Sequence, residues 1–432
     1  MSRTLASAII ASRTLQKAGE GEICRVKVDF AFANDITAPP AVRSFRKMGA
    51  QKVFDPARCA ILPDHFTPNK DIASAEQAKT AREFALEQGM LYWEQGRVGI
   101  EHAFLPEKGL ILPGEVVVGA DSHTCTGGTL GAFATGMGST DLAAAWALGE
   151  TWLRVPETIR IVFEGKRPPW ISGKDLILEV LLRIGVQGAR YRALEFDGSS
   201  VEDIPLDDRF TVANMAVETG AKAGLFVPDD ISLAYADQRA ARPFTAVYPD
   251  SGAGYIETHE IDVGSLQPLV ALPHLPSNVR PAIECDDRPI HQVFIGSCTN
   301  GRLRDLEQAS LLLKGRQVHP SLRCIVIPAS PEVFRAALER GFISDFTEAG
   351  AAVCTPTCGP CLGGHMGILA EGERCVATSN RNFTGRMGHP GSEVILAGPL
   401  VAAASALKGR IADPREIIPE EEFQSLEVKR HA

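Results

Sequence analysis

Hydrophobic runs along this chain are short, rich in β-branched residues and free of strict alternation. Val116-Val117-Val118, Val293-Phe294-Ile295 and Cys324-Ile325-Val326-Ile327 are the clearest, and each runs directly into glycine or proline. Unalternating runs of this kind suit strands buried on both faces of a parallel sheet. Helix-like stretches lie between them, predicted over Ser74–Gly89, Thr140–Leu153, Gly173–Ile184 and Pro331–Arg340. The pattern predicts the α/β class, with chemistry-bearing residues just after the apolar runs, where open parallel sheets place their ligands. Gly165-Lys166-Arg167-Pro168-Pro169 reads as one joint and the proline-rich stretch from Gln267 to Pro289 as another. Three α/β domains are therefore expected, over residues 1–165, 166–285 and 286–432.

Composition narrows the class without naming a function. With 432 residues, 45% hydrophobic and 22% charged, the chain has ordinary globular usage and length for several cores. Lys and Arg total 44 against 53 Asp and Glu, a formal charge of −9. That balance counts against nucleic acid or an anionic membrane as the main partner. The apolar patch Ala6 to Ala11 is too short for a secretory signal and is followed by Arg13, Lys17 and Glu20. Two uncharged runs resemble membrane spans only superficially. Ser122 to Thr140 is full of Gly, Ser and Thr, and Val394 to Leu407 is short and broken by Pro399. Neither offers the about 20 predominantly apolar residues that a span requires. A cytoplasmic location is expected.

Cysteine placement says more than cysteine count. Of ten cysteines, Cys24, Cys59, Cys125, Cys285, Cys298, Cys324 and Cys375 are scattered, while Cys354, Cys358 and Cys361 are bunched. In a chain without a signal peptide a bunched set reads as metal or cluster ligation before disulfide. Cys358-Gly359-Pro360-Cys361 alone fits zinc knuckles, redox pairs and iron–sulfur proteins. The second C-x-x-C of a zinc ribbon is missing, and the surrounding glycines and prolines fit a thioredoxin motif poorly. Gly296-Ser297-Cys298-Thr299-Asn300-Gly301 shifts the balance, because it sets a lone cysteine in a glycine-bracketed turn at a strand end. Small residues there let backbone amides approach sulfur. Three cysteines would hold three irons of a 4Fe–4S cluster and leave the fourth open, which a Lewis-acid catalyst needs. The plain alternative for Cys298 is an ordinary buried cysteine. A further alternative is the C-x-x-x-C-x-x-C spacing of radical S-adenosylmethionine enzymes at Cys354, Cys358 and Cys361, which would leave Cys298 without a role.

Over nearly its whole length the chain resembles the aconitase family, in its isopropylmalate isomerase and homoaconitase branch. The resemblance is carried by Asn34-Asp35-Ile36-Thr37-Ala38-Pro39, Asp64-His65, Gly99-Ile100-Glu101-His102 and Gly119-Ala120-Asp121-Ser122-His123-Thr124. It continues through Asn214-Met215-Ala216-Val217-Glu218, Gly296-Ser297-Cys298-Thr299-Asn300 and Cys358-Gly359-Pro360-Cys361. It closes with Thr378-Ser379-Asn380-Arg381-Asn382-Phe383-Thr384-Gly385-Arg386.

The resemblance implies three α/β domains with largely parallel sheets around a 4Fe–4S cluster, its ligands Cys298, Cys358 and Cys361. It implies a hydro-lyase or isomerase that dehydrates and rehydrates a malate-type diacid, 3-isopropylmalate being the first choice. Homoaconitate, 2,3-dimethylmalate and citraconate-type substrates are the alternatives. Asp64 and His65 match the family's acid pair, and His102 and His123 its histidines at the substrate hydroxyl and water. Asp121 and Glu218 match its supporting carboxylates, and Asn34 and Ser122 positions near the substrate. Asn214, Asn300 and Asn380 match amides around the cluster, the last two placed to donate to its sulfurs. Arg381 and Arg386 match carboxylate-binding arginines, and a turn at Gly385 is expected to aim both inward. Elementary chemistry supports such a set. Expelling hydroxide from carbon needs a Lewis acid on oxygen and a proton donor beside it. Charge developing next to a carboxylate needs fixed cationic donors, for which a guanidinium fork is suited.

The chain also departs from the pattern. Cys354 matches no ligand position and is expected to pack in the interior, and Gly127 stands where many relatives carry a larger residue. No segment matches the family's swivelling fourth domain, so the resemblance implies a separate small subunit carrying it. A non-enzymatic reading, a cluster-dependent RNA-binding regulator, has the acidic balance and the lack of a basic run against it.

Overall fold

A computed structural model describes residues 2–14, 16–419 and 421–423. Its contacts divide the chain into two compact units, Met1–Phe163 with Gln187–Val201 and Val212–Ile261, and Glu164–Val186 with Glu202–Thr211 and Asp262–Ala432.

In the first unit a five-stranded sheet has the order Leu91–Tyr92, Cys59–Leu62, Phe30–Asn34, Val116–Gly119, Phe133–Gly136, every pair parallel. Both faces are covered, which explains the unalternating runs. Ala31, Ala33, Cys59 and Ile61 join a core with Phe45, Phe84 and Trp146, from helices Ala38–Lys47, Ile72–Gln88 and Ser139–Leu148. Phe30, Phe32, Ala60 and Leu62 face the other way, onto Phe104 and Leu105. The strand Phe30–Asn34 comes first in the chain and has later strands on both sides. The point where chain order reverses therefore lies between it and Val116–Gly119. A four-stranded sheet, ordered Ala223–Phe226, Ala193–Asp197, Thr158–Glu164, Glu257–Asp262, and an antiparallel ribbon of Ile23–Lys27 with Glu150–Arg154 complete this unit.

The second unit is built on a seven-stranded sheet. Its order is Val279–Pro281, Leu269–Ala271, Glu393–Ala397, Arg374–Ala377, Gln292–Ile295, Arg323–Val326, Ala352–Val353. The first two joins are antiparallel and the others parallel. Val293, Ile295, Val376 and Ile395 pack with Leu306, Leu312, Leu400 and Val401 of helices Leu303–Leu313 and Pro399–Lys408. Chain order reverses between Gln292–Ile295 and Arg374–Ala377.

Local expectations fare unevenly. Gly173–Ile184 is a helix over the expected residues, opened by a Ser172–Asp175 capping box. Helix Ile72–Gln88 begins before Ser74 because Asp71 and Ser74 cap it reciprocally, and Pro331–Glu339 stops one residue short of Arg340. The helix expected to Leu153 ends at Leu148 instead. Gly149 takes a left-handed φ of 69° there, and Glu150–Arg154 turns into the edge ribbon. The uncharged run from Ser122 is a 3₁₀ stretch, Ser122–Leu130, followed by the strand Phe133–Gly136. Among the described residues no helix is long and apolar enough to cross a membrane.

Candidate functional site

The first unit gathers histidines and carboxylates at the carboxyl ends of its central strands. Asn34 ends the strand Phe30–Asn34, and Asp35 follows it, fully buried. Asp35 Oδ1 accepts the backbone N–H groups of Asp64 (3.1 Å) and His65 (2.9 Å), and Oδ2 accepts that of Phe66 (2.8 Å). One carboxylate thus clamps the turn that carries the Asp64-His65 pair. Asp64 Oδ1 lies 2.7 Å from His65 Nδ1, while Oδ2 accepts the Glu101 backbone N–H at 2.7 Å. The next residue, His102, sets Nε2 2.8 Å from Asp121 Oδ1, which also accepts the His123 backbone N–H at 2.7 Å. His123 Nε2 is 2.8 Å from Glu218 Oε1, and His65 Nε2 is 3.8 Å from Asp121 Oδ2. Every one of these histidines and carboxylates is buried except Asp121, which is half-buried.

The charge pattern follows from those contacts. Burial favours the neutral imidazole of His65, but Asp64 through its charge and hydrogen bond, with Asp35 behind it, outweighs burial. His65 is held charged well above the usual histidine range. His102 is pushed below that range by burial, against the pull of Asp121. Asp121 resists burial through its hydrogen bonds to His102 and His123 and stays ionised well below the usual range. Glu101 goes the other way. Burial and the charges of Asp64 and Asp121 raise it well above the carboxylate range, so it holds a proton.

Asp35 and Glu101 stood inside the matched motifs without being singled out, although an acid between a strand end and a turn is a recurrent clamp. Asp35–Asp64–His65 and His65–Glu101–Asp121 each bring ligand-type atoms within 4.8 Å of one another. The oxygens of Asp35 are already taken by three amides, and these groups read as a proton network rather than a cation site.

The remaining first-unit candidates take supporting places. Asn34 Oδ1 accepts the backbone N–H groups of Ile36 and Thr37 at 3.0 Å, and Nδ2 donates to Glu101 Oε1 at 3.0 Å. Its amide orients the network. Ser122 is exposed and lines a cavity of about 580 Å³ with Trp152, Tyr191 and Lys222. Asn214 braces the His123 turn, its Nδ2 donating to Thr126 Oγ1 at 2.8 Å and its carbonyl accepting from the Cys125 thiol at 3.3 Å. Gly127 belongs to the packing of the same turn, because a Cβ there would sit 2.9 Å from Ala134 Cβ and from Ile111 Cγ2.

The second unit repeats the strand-end arrangement with sulfur. Gln292–Ile295 leads through Gly296 into Ser297, whose φ of 75° is a left-handed conformation that a side chain strains. Ser297 is held there by its hydroxyl, which accepts the Thr299 backbone N–H at 3.1 Å, and Cys298 follows in the single turn Ser297–Asn300. The neighbouring strand Arg374–Ala377 ends at Thr378, which staples the two strand ends. Its Oγ1 accepts the Gly296 N–H at 2.9 Å and donates to the Gly296 carbonyl at 3.1 Å.

Asn380, two residues on, reaches two cysteines at once. Its Nδ2 is 3.5 Å from Cys298 Sγ and its Oδ1 accepts from Cys361 Sγ at 3.8 Å. Cys358 precedes, and Cys361 lies within, the 3₁₀ turn Gly359–Leu362, opened by Gly359 at φ 54°, where a Cβ would stand 2.9 Å from Ile327 Cδ1. Cys298, Cys358 and Cys361 are all buried.

Other expectations in this unit shift. Asn300 gives its N–H donors to Thr211 Oγ1 (3.1 Å) and Asp305 Oδ1 (2.8 Å), so it braces the Cys298 turn instead of donating to sulfur. Arg386 brings Nη2 within 3.8 Å of Cys361 Sγ after a left-handed turn at Gly385, φ 74°. Arg381 is half-buried beside Asn380 in sequence. Cys354 is half-buried, not interior, and its backbone N–H donates to Val326 at the sheet edge. Edge position explains that exposure, since Ala352–Val353 is the last strand of its sheet.

Three buried thiols on strand-end loops of one sheet, with an amide touching two of them, are a donor set that fits an iron–sulfur cluster.

Comparison with known proteins adds the following. The sequence profile of the aconitase family (aconitate hydratase) matches residues 7–286 and 278–409. The chain is 56% identical over 420 residues to the "3-isopropylmalate dehydratase large subunit" of Halothermothrix orenii, covering 97% of this chain and 100% of that one. It is 57% identical over 420 residues, with the same coverage, to the protein of that name from Moorella thermoacetica. A solved structure, aconitase X of Thermococcus kodakaraensis in its holo-form, is 13% identical with a TM-score of 0.49, covering 82% of this chain and 84% of that chain.

Proposed function

From the premise that this chain belongs to the aconitase family, we propose that it is the cluster-holding large subunit of a 3-isopropylmalate dehydratase. The reaction would isomerise 3-isopropylmalate and 2-isopropylmalate through the alkene diacid, a step of leucine biosynthesis in the cytoplasm. The observation that carries this reading is the match, end to end, to large subunits of that name at 56–57% identity.

Cys298, Cys358 and Cys361 would hold a 4Fe–4S cluster, the cluster type that the family resemblance implies. When bound, such a cluster would supply Lewis acidity towards the substrate's hydroxyl. The protein's own groups do the rest. His65, held as imidazolium by Asp64, gives its proton to the departing hydroxyl. Asp35 fixes that pair by holding its backbone. Asp121, ionised, keeps His102 in one orientation, and Glu218 does the same for His123, so that each ring presents a fixed nitrogen to the hydroxyl and water. Ser122 and Arg381 offer a hydroxyl and a guanidinium to substrate oxygens, and Arg386 lends positive charge near Cys361. The base that removes the carbon-bound proton, and part of the diacid's recognition, would come from a separate small subunit.

The test is a substrate panel on the anaerobically reconstituted chain with and without its cognate small subunit. Turnover of 3-isopropylmalate by the pair, and none by either chain alone, is the expected result. A preference for homoaconitate, 2,3-dimethylmalate or citraconate would move the substrate, and turnover by the pure single chain would remove the two-subunit reading.

A further inference from the structure

Helix Gly173–Ile184 carries a lysine where a helix least wants one. Lys174 is its second residue, at the positive end of the helix dipole, where acidic residues are favoured. Its side chain is nevertheless fully buried. The ammonium reaches the loop after Arg374–Ala377 and donates to the carbonyls of Thr378 (3.0 Å) and Ser379 (2.7 Å). Among the described residues no carboxylate stands within ion-pair distance of it. A buried ammonium without a carboxylate partner is costly, and such groups are kept where the surroundings need their charge.

The two carbonyls belong to the residues directly before Asn380, the amide that touches both Cys298 and Cys361. We propose that Lys174 is a positioning residue of the cysteine cradle. It fixes the Thr378–Ser379 turn that aims Asn380 at two sulfurs, and it brings its ammonium into the buried surroundings of those sulfurs. This rests on the reading of Cys298, Cys358 and Cys361 as cluster ligands. Burial presses the Lys174 ammonium down to about 7, while Asp305, Cys361, Asp175 and Cys298 pull the other way. Net charge and hydrogen bonding near the sulfurs are the terms by which a protein sets a cluster's potential and retention.

The test uses the full chain, reconstituted anaerobically, as wild type, Lys174→Met and Lys174→Gln. Iron per wild-type chain is read first, and a wild type without a cluster defeats the ligand reading itself, whatever Lys174 does. With the cluster in place, two readouts are expected to move in Lys174→Met: loss of iron to a chelator about tenfold faster, and a lower midpoint potential by redox titration. Lys174→Gln keeps a donor for the carbonyls without the charge, so its potential falls while its iron loss stays nearer the wild-type rate. Circular dichroism of the cluster-free proteins reports folding. Cluster retention and potential unchanged in both variants would overturn the proposal. So would failure of both variants to fold, which would make Lys174 a residue of the core and not of the cradle.

Discussion

The two groups of functional side chains occupy equivalent places in their sheets and are finished to different degrees. The histidine–carboxylate group of the first unit is closed on itself. Its nitrogen and oxygen atoms meet at 2.7–2.8 Å in the pairs His65–Asp64, His102–Asp121 and His123–Glu218. The sulfurs of the second unit meet polar neighbours at 3.5–4.0 Å, among them the Asn380 amide, the Arg386 guanidinium and the Ser297 hydroxyl. Folding alone completes the first group, because every charge in it finds a partner that folding brings. The second is a cradle whose shape is set by backbone strain at Ser297 and by the Thr378 staple. The two candidate groups thus differ in how much of their coordination the protein supplies.

The strongest way to break that comparison is Cys298→Ala. Complete loss of the reconstituted cluster is expected, measured as iron per chain, with the fold and the histidine network intact. Retention of a full cluster would mean that Cys354 has replaced Cys298 and that the cradle is wrongly drawn. His65→Asn sharpens the opposite side. It should leave iron content unchanged and lower kcat of the assembled enzyme by about 10²–10⁴-fold, the usual range for a positioned proton donor. Loss of iron in that variant would show that the two groups are not separable in this way.

A smaller effect concerns Glu101. Its folded pKa is raised, by burial first and then by Asp64 and Asp121. The stability it contributes is therefore complete below the unfolded value of about 4.3 and declines as pH rises towards its folded value. Glu101→Gln, which is neutral at every pH, should raise the thermal midpoint at pH 8 and leave it nearly unchanged at pH 4. Equal shifts at both would show that Glu101 is not protonated in the folded state.

Much of this was legible in the residues themselves. Runs such as Val116-Val117-Val118 announced buried parallel strands, and the candidate site residues do follow such strands in the fold. Glycines and capping pairs marked most helix limits. The helix predicted to Leu153 failed because Gly149 could end it only with Glu150–Arg154 drawn into pairing with Ile23–Lys27, a contact between distant segments.

Local chain chemistry determined the class of fold, the strand ends and the residue types of both groups, because hydrophobic periodicity, glycine conformations and neighbouring side chains act over a few residues. Tertiary structure decided which of those residues share hydrogen bonds. Asp35 as a clamp, Glu101 as a proton holder, Asn300 turned to Asp305 and Arg386 turned to sulfur all depend on partners brought together by folding. The same holds for Lys174, whose partners lie 204 and 205 positions along the chain. Hydrogen bonds act over about 3 Å, and only the packed sheet sets atoms so distant in sequence at that range.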